Sequence, residues 1–214
     1  MINRLMCAAL LSLPLMLATS AHANLIGNGG FEYPNIKSGW TYGQDTADGW
    51  QGDNIEVWAS GLLGVTSYEG SHHGELNAHP YDGSNYTIYQ TFATEIGATY
   101  EISFAYRARK STNEAFSFQL FTGDVLNTTT YDFSNGFDLL MDDHTTSHWS
   151  LYTSTFIGTG LDTTLMFSSI NPDKGTVGNL LDAVSVTQVP EPGTLAVFGL
   201  GLLCLSLSRR NLKM

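Results

Sequence analysis

The chain has 214 residues and only two cysteines, Cys7 and Cys204, which lie in the apolar segments near its two ends. The stretch between them holds none. That excludes a disulfide framework there, a catalytic thiol and a cysteine-ligated zinc. Basic residues are scarce as well. Between residues 24 and 188 only Lys37, Arg107, Arg109, Lys110 and Lys174 are basic, against 19 acidic residues, a net charge of −14. A surface of that sign argues against nucleic acid and anionic lipid as partners. The chain has no Gly-x-Ser-x-Gly elbow, no glycine-rich phosphate loop and no His-Glu-x-x-His frame. The chemistries those motifs serve therefore find no support. His72 and His73 are adjacent, so on a strand they face opposite ways, and His144 and His148 sit in a polar stretch. The first pair cannot chelate together, and the second, at an i, i+4 interval, would need a helix that a polar stretch does not predict, so zinc finds no support. Carboxylates for glycoside hydrolysis can be paired at will among the acids, because sequence sets no separation between them.

Long apolar runs are missing from the middle and present at both ends. Near the start stand Arg4, an apolar stretch from Leu5 to Ala18, and Ala21-His22-Ala23. A charged n-region, an h-region and an A-x-A site predict a signal peptide over 1–23, cut between Ala23 and Asn24. At the other end Val189-Pro190-Glu191-Pro192 precedes a segment, Thr194 to Ser208, without charge; Arg209, Arg210 and Lys213 follow. A bilayer span needs roughly 20 apolar residues, with about 17 as the lower limit, so a helix over about 193–208 crosses with little tilt. The basic tail over 209–214 stays cytoplasmic and the bulk of the chain lies outside. This order of proline-bracketed acid, short apolar helix and basic end resembles the PEP-CTERM sorting signal. The resemblance implies export in a Gram-negative bacterium, transient anchoring in the inner membrane, and processing by an exosortase near residues 189–192. It further implies a final place at the cell surface or in the extracellular matrix of a biofilm, a setting rich in exopolysaccharide.

Residues 24–188 have one domain's length. Short β-rich runs recur between Gly, Asn, Asp, Ser and Thr clusters, and no helical period stands out. Strands are predicted at Leu25–Glu32, Ile55–Trp58, Gly74–Ala78, Tyr86–Ala93, Thr99–Arg109, Ala115–Thr122, Thr128–Phe133, Trp149–Ile157, Thr163–Ser169 and Leu181–Thr187. The alternation is clearest in Tyr100, Ile102, Phe104 and Tyr106, and again in Phe116, Phe118, Leu120 and Thr122. This spacing predicts an all-β fold, a two-sheet jelly-roll β-sandwich. Four segments then add to the reading: Asn24 to Glu32, Tyr89 to Phe92, Gly97 to Tyr106, and Leu180 to Val186. Their succession resembles galactose-binding-like jelly rolls, including carbohydrate-binding modules of xylanases. Relatives often carry Asp-Asp-Val where this chain has Asp182-Ala183-Val184, so the second acid is lost. The resemblance implies a structural calcium held by Glu32 and Asp182, completed by loop carbonyls around residues 70–73. The alternative has both as loop carboxylates that bond the backbone.

Glu75 and Asn77 share a strand face opposite Leu76 and Ala78, and Arg107 lies on the polar side of its own strand. Such a grouping, with Trp58 nearby, suits a sugar, whose ring faces pack on aromatics and whose hydroxyls bond planar polar groups. Glu75 and Arg107 as a structural ion pair is the competing reading. Tyr81, Tyr86 and Tyr89 are further ligand candidates around the loop at 82–85, while Trp40 and Trp149 are expected to pack at the core or rim. The expectation is a surface protein that binds extracellular polysaccharide without catalysis. A structural or adhesive protein with a protein partner, and a glycan-cleaving enzyme, are the alternatives.

Overall fold

Strand-length runs with alternate residues apolar, in a segment without amphipathic helices to cover them, hide their apolar face by stacking two sheets. The computed structural model describes residues 23–43, 47–80, 83, 86–126 and 131–190, and builds from them such a sandwich. The strands are β1 (Trp40–Gly43), β2 (Gln51–Gly52), β3 (Ile55–Ala59), β4 (His72–Glu75), β5 (Thr87–Ala93) and β6 (Thr99–Arg107). After them come β7 (Ala115–Thr122), β8 (Asp132–Met141), β9 (Ser150–Ile157), β10 (Asp162–Asn171) and β11 (Leu180–Gln188). One sheet has the order β1-β3-β4-β11-β6-β9 and the other β2-β5-β10-β7-β8. Every pairing is antiparallel. A single 3-10 turn at Leu62–Gly64 is the one helical element among the described residues.

Ala23–Val189 is a compact unit holding both sheets and the whole described core. Residues 1–22 of the predicted signal peptide, Glu191, Pro192, the segment at 193–208 and the basic Arg209, Arg210 and Lys213 lie outside the described residues, while Ala23 and Asn24 of the predicted cut are described. Among the described residues no helix is long and apolar enough to cross a membrane.

The predicted alternation sets the core. Tyr100, Ile102, Phe104 and Tyr106 face Phe116, Phe118, Leu120, Leu165 and Phe167 across the sandwich. The Phe104 ring stands 4.9 Å from that of Phe118 and 5.0 Å from that of Phe167. Emptying such a position costs roughly 3–5 kcal/mol.

Three predicted strands differ from those observed, and two observed strands were not predicted. Residues 25–32 form turns, because Asn28 and Phe31 adopt φ values of 50° and 54°. The segment still closes the fold: Asn24 Oδ1 accepts the N–H of Val186, its Nδ2 donates to Val184 O, and Leu25 N–H donates to Val186 O. Gly29 passes so close to β11 that a Cβ there would stand 1.9 Å from Val184 O. The strand expected at Gly74–Ala78 is shifted to His72–Glu75; Leu76 N–H already bonds Asn179 O in a loop. The strand predicted to end at Phe133 instead runs over Asp132–Met141, whose Asp, Ser, Asn and Gly residues hide it from a propensity reading. The edge strands β1 and β2 went unpredicted because they are short and mostly exposed.

Candidate functional site

Side chains on the outer face of the six-stranded sheet fall in cross-strand rows. Trp40, Trp58 and His73 form one row, and Tyr42, Glu56, Glu75, Leu180 and Arg107 another. Loops cover part of this face. Trp149 Nε1 donates to Thr66 O at 2.8 Å, Arg107 to Thr146 O, and Arg109 Nη1 to Thr176 O at 3.0 Å. Glu56, Trp58, His73 and Glu75 are therefore buried although they point away from the core.

Where the cover ends, a cleft of about 180 Å³ opens beside β1. Its floor is Trp58, which donates to Glu56 Oε2 at 2.7 Å and lies under Arg109, whose Cζ stands 4.4 Å from the ring centroid. Arg109 Nη1 donates to both oxygens of Glu75, at 2.9 and 3.0 Å. Its Nε and Nη2 have no protein acceptor among the described residues, in a side chain that lines the cleft. Glu56 Oε1 accepts the N–H of His79 at 2.8 Å. Trp40 forms a wall with 46 % of its surface exposed, and with Tyr42 it packs edge-to-face against the His79 ring.

Electrostatics follow from burial. Desolvation pushes the Glu75 carboxyl well above the ordinary carboxylate range; Arg109 opposes this and Glu56 adds to it. Burial, then the charges of Arg107 and His72, bring His73 down to about 4. His73 Nδ1 meets Ser67 Oγ at 2.9 Å, while its Nε2 and Arg107 Nε are buried without a hydrogen-bond partner among the described residues.

The structure gathers some predicted site residues and separates others. Trp58, Glu75 and Arg107 share the outer face, but Trp58 is only 1 % exposed. Glu75 pairs with Arg109 rather than with Arg107, because Arg109 continues past the end of β6 and folds back over the sheet. Asn77 is buried in a polar knot, its Oδ1 accepting from Ser169 Oγ and Asn179 Nδ2 at 3.1 Å each. The Tyr86 hydroxyl donates to Gly175 O. Tyr89 lies with Phe121 and Met166 in a small cluster separate from the main core. Tyr81 is outside the described residues. Trp40, expected as packing, is the exposed tryptophan of the cleft. Glu56 and Arg109 were missed; the period-2 offset between Glu56 and Trp58 was the available signal.

Glu32 and Asp182 both turn onto one loop. Glu32 Oε1 accepts the N–H groups of Ser71 and His72, and Oε2 faces His72 Nδ1 at 3.0 Å. Asp182 Oδ2 accepts those of Tyr68 and Glu69, and Oδ1 that of Ala183. Burial raises Asp182 to about 7 against these three N–H groups, with Glu69 adding to the rise. For Glu32 burial pushes upward, but the His72 side chain and the two N–H groups outweigh it and hold the carboxyl below its usual value. Glu69 joins them: a Cβ on Gly30 would lie 3.0 Å from Glu69 Oε1 and 3.8 Å from Glu32 Cγ. Among the described residues no three His, Cys, Asp or Glu side chains form a metal shell by themselves.

Residues 188–210 match the family model of the PEP-CTERM protein-sorting motif, a signal for export. No curated protein matches the chain. Among solved structures, the chain is similar to the CBM22-1 xylan-binding domain from Paenibacillus barcinonensis Xyn10C. Identity is 16 %, coverage 82 % of this chain and 100 % of that one, and the TM-score 0.47. TmCBM61 in complex with beta-1,4-galactotriose is 11 % identical, with coverage of 78 % and 99 % and a TM-score of 0.48. A structure described as CBM4 is 19 % identical, with coverage of 77 % and 99 % and a TM-score of 0.43.

Proposed function

We propose that the protein is processed by an exosortase, reaches the cell surface or extracellular matrix, and there binds polysaccharide without cleaving it, in the cleft between Trp40 and Arg109. The observation that carries this reading is the cleft's make-up. A half-exposed indole stands beside a fixed guanidinium edge with free donors and a carboxylate held by two donors of its own. A sugar uses that combination, packing its C–H face on the ring and its hydroxyls on the planar polar groups. Arg109 is already neutralised by Glu75, and Glu56 adds a further carboxylate. The cleft thus suits neutral sugars better than uronates.

Calcium belongs to the same reading. Glu32 and Asp182, with Glu69 beside them, supply oxygen donors of the kind it takes. Asp182 is fully buried, with only N–H groups on its carboxylate. A cation there would offset its desolvation, and backbone carbonyls would have to complete the shell. Calcium would hold β11 to the opening segment, a staple in a domain without disulfides.

The test is a titration of residues 24–189 against a panel of neutral and acidic polysaccharides, with calcium and with chelator. Saturable binding to a neutral glycan that Trp40→Ala abolishes, at unchanged melting temperature, is expected. A folded domain that binds no glycan would overturn the reading and leave a protein partner in its place.

A further inference from the structure

The polypeptide leaves the folded unit at one end of the sandwich, and that end carries a rim of apolar side chains. Val189 is the unit's last residue; its N–H donates to Thr99 O at 2.8 Å, and Thr99 pairs in turn with Ile157. Val189, Thr99 and Ile157 therefore stand side by side across β11, β6 and β9. The β5–β6 and β9–β10 turns lie at the same end. Gly97 N–H donates to Gly158 O, Thr94 Oγ1 to Leu161 O, and the Ile96 Cβ stands 3.1 Å from where a Cβ on Gly160 would fall. Ile96 is 82 % exposed, Leu161 63 %, Ile157 47 % and Val189 38 %. Single exposed apolar residues need no explanation, but four grouped at one end of so acidic a domain do.

What covers them follows from the chain's continuation. Only residues 190–193 separate Val189 from the uncharged run that starts at Thr194. At about 3.3–3.6 Å per extended residue, the tether reaches roughly 15 Å. We propose that Ile96, Ile157, Leu161 and Val189 seat the domain on the lipid surface until the tail is processed. This rests on the reading of the tail as a membrane anchor. The neighbouring acids Glu95 and Asp162 select a zwitterionic surface over an anionic one. The orientation then serves the cleft. Leu180, at the start of β11, pairs with Glu75 and Arg107, whereas Val189 follows the strand's other end. Nine residues at about 3.3 Å each put roughly 25–30 Å between cleft and rim. A domain seated on its rim holds the Trp40–Arg109 cleft outward, away from the lipid.

The experiment uses the full chain with Cys7→Ser and Cys204→Ser, reconstituted in phosphatidylcholine vesicles. An environment-sensitive fluorophore is placed at Ile96→Cys or Leu161→Cys, with Leu63→Cys beside the cleft as the control. Blue-shifted emission and several-fold protection from an aqueous quencher at 96 and 161, but not at 63, are expected. A chain that floats with the vesicles while 96 and 161 stay as quenchable as 63 overturns the rim and spares the anchor. A chain that does not float at all removes the anchor and the rim with it. Protection that appears only in native membranes, and not in pure lipid, assigns the rim to a protein and also overturns the proposal.

Discussion

Acidification is a direct probe of the covered outer face, and His73 is the group that reports it. The imidazole has no exposed surface, lies between the rings of Trp58 and Trp149 at 5.8 and 5.6 Å, and is brought from 6.5 to about 4 by burial, with Arg107 and His72 adding to the effect. A histidine whose folded pKa is depressed stays neutral in the native state and takes up its proton when unfolded. Stability is thus intact above pH 6.5, falls as pH drops through that value, and levels off near 4. Each tenfold difference in proton affinity between the folded and unfolded states is worth about 1.4 kcal/mol, so the loss is roughly 1 kcal/mol at pH 5.5 and between 2 and 3 kcal/mol at pH 4.5. His73→Phe keeps a ring between the two indoles and removes the titration. It also removes the contact with Ser67 Oγ, which costs about 1 kcal/mol at every pH. Urea denaturation of both proteins from pH 4.5 to 7.5 should show the wild type more stable at the neutral end and the variant more stable at the acid end. The comparison cancels all other titrating groups. A difference that stays constant across the range would refute the reasoning, since His73 would then protonate as freely in the folded protein as in the unfolded chain.

Asp182 has the opposite dependence. Its pKa is raised in the folded state, so without calcium the domain loses stability as pH rises through 7, by roughly 2–3 kcal/mol between pH 5 and 8 relative to Asp182→Asn. Calcium should abolish that loss in the wild type alone; a melting temperature indifferent to both chelator and the substitution removes the calcium proposal. Arg109→Ala leaves Glu75 buried beside Glu56 without its cation and should cost about 3–5 kcal/mol at pH 7. Adding Glu75→Gln should return much of it, and a double-mutant cycle with no coupling contradicts the pairing.

What the sequence made legible was the part governed by period and composition. Tyr100, Ile102, Phe104 and Tyr106 announce a core-facing strand because a pleated strand alternates faces wherever it sits. The cleft was harder to read because loops wrap the outer face. From sequence Trp58 and Glu75 are surface residues of their strands, and only tertiary contacts through Thr66, Thr146, Thr176 and Gly178 turn them into a buried floor. Register was the second obstacle. Arg107 and Arg109 lie two apart and point the same way on an extended strand, and only the turn after β6 decides which one meets Glu75. The first segment misled for another reason. Its Ile26 and Phe31 are buried as a strand's apolar residues would be, yet Asn28 and Phe31 hold φ values that no strand allows.

The covered face also bears on how the cleft can work. Burying Glu56, Glu75 and Arg109 costs desolvation that an exposed site would avoid. In return each group is held by two or more partners: Glu56 by Trp58 and His79, Glu75 by Arg109 and Gly178, and Arg109 by Glu75 and Thr176. A ligand meeting these groups orders nothing further, so the entropy of fixing them has been spent at folding rather than at binding. Trp40 stands apart, on an edge strand of four residues, where its ring is exposed on one side and propped by His79 on the other. The division predicts how variants will fail. Substitutions at Glu75 or Arg109 should lower melting temperature and affinity together, whereas Trp40→Ala should lower affinity alone. If all three fell together in stability, the cleft would be only a seam between sheet and loops.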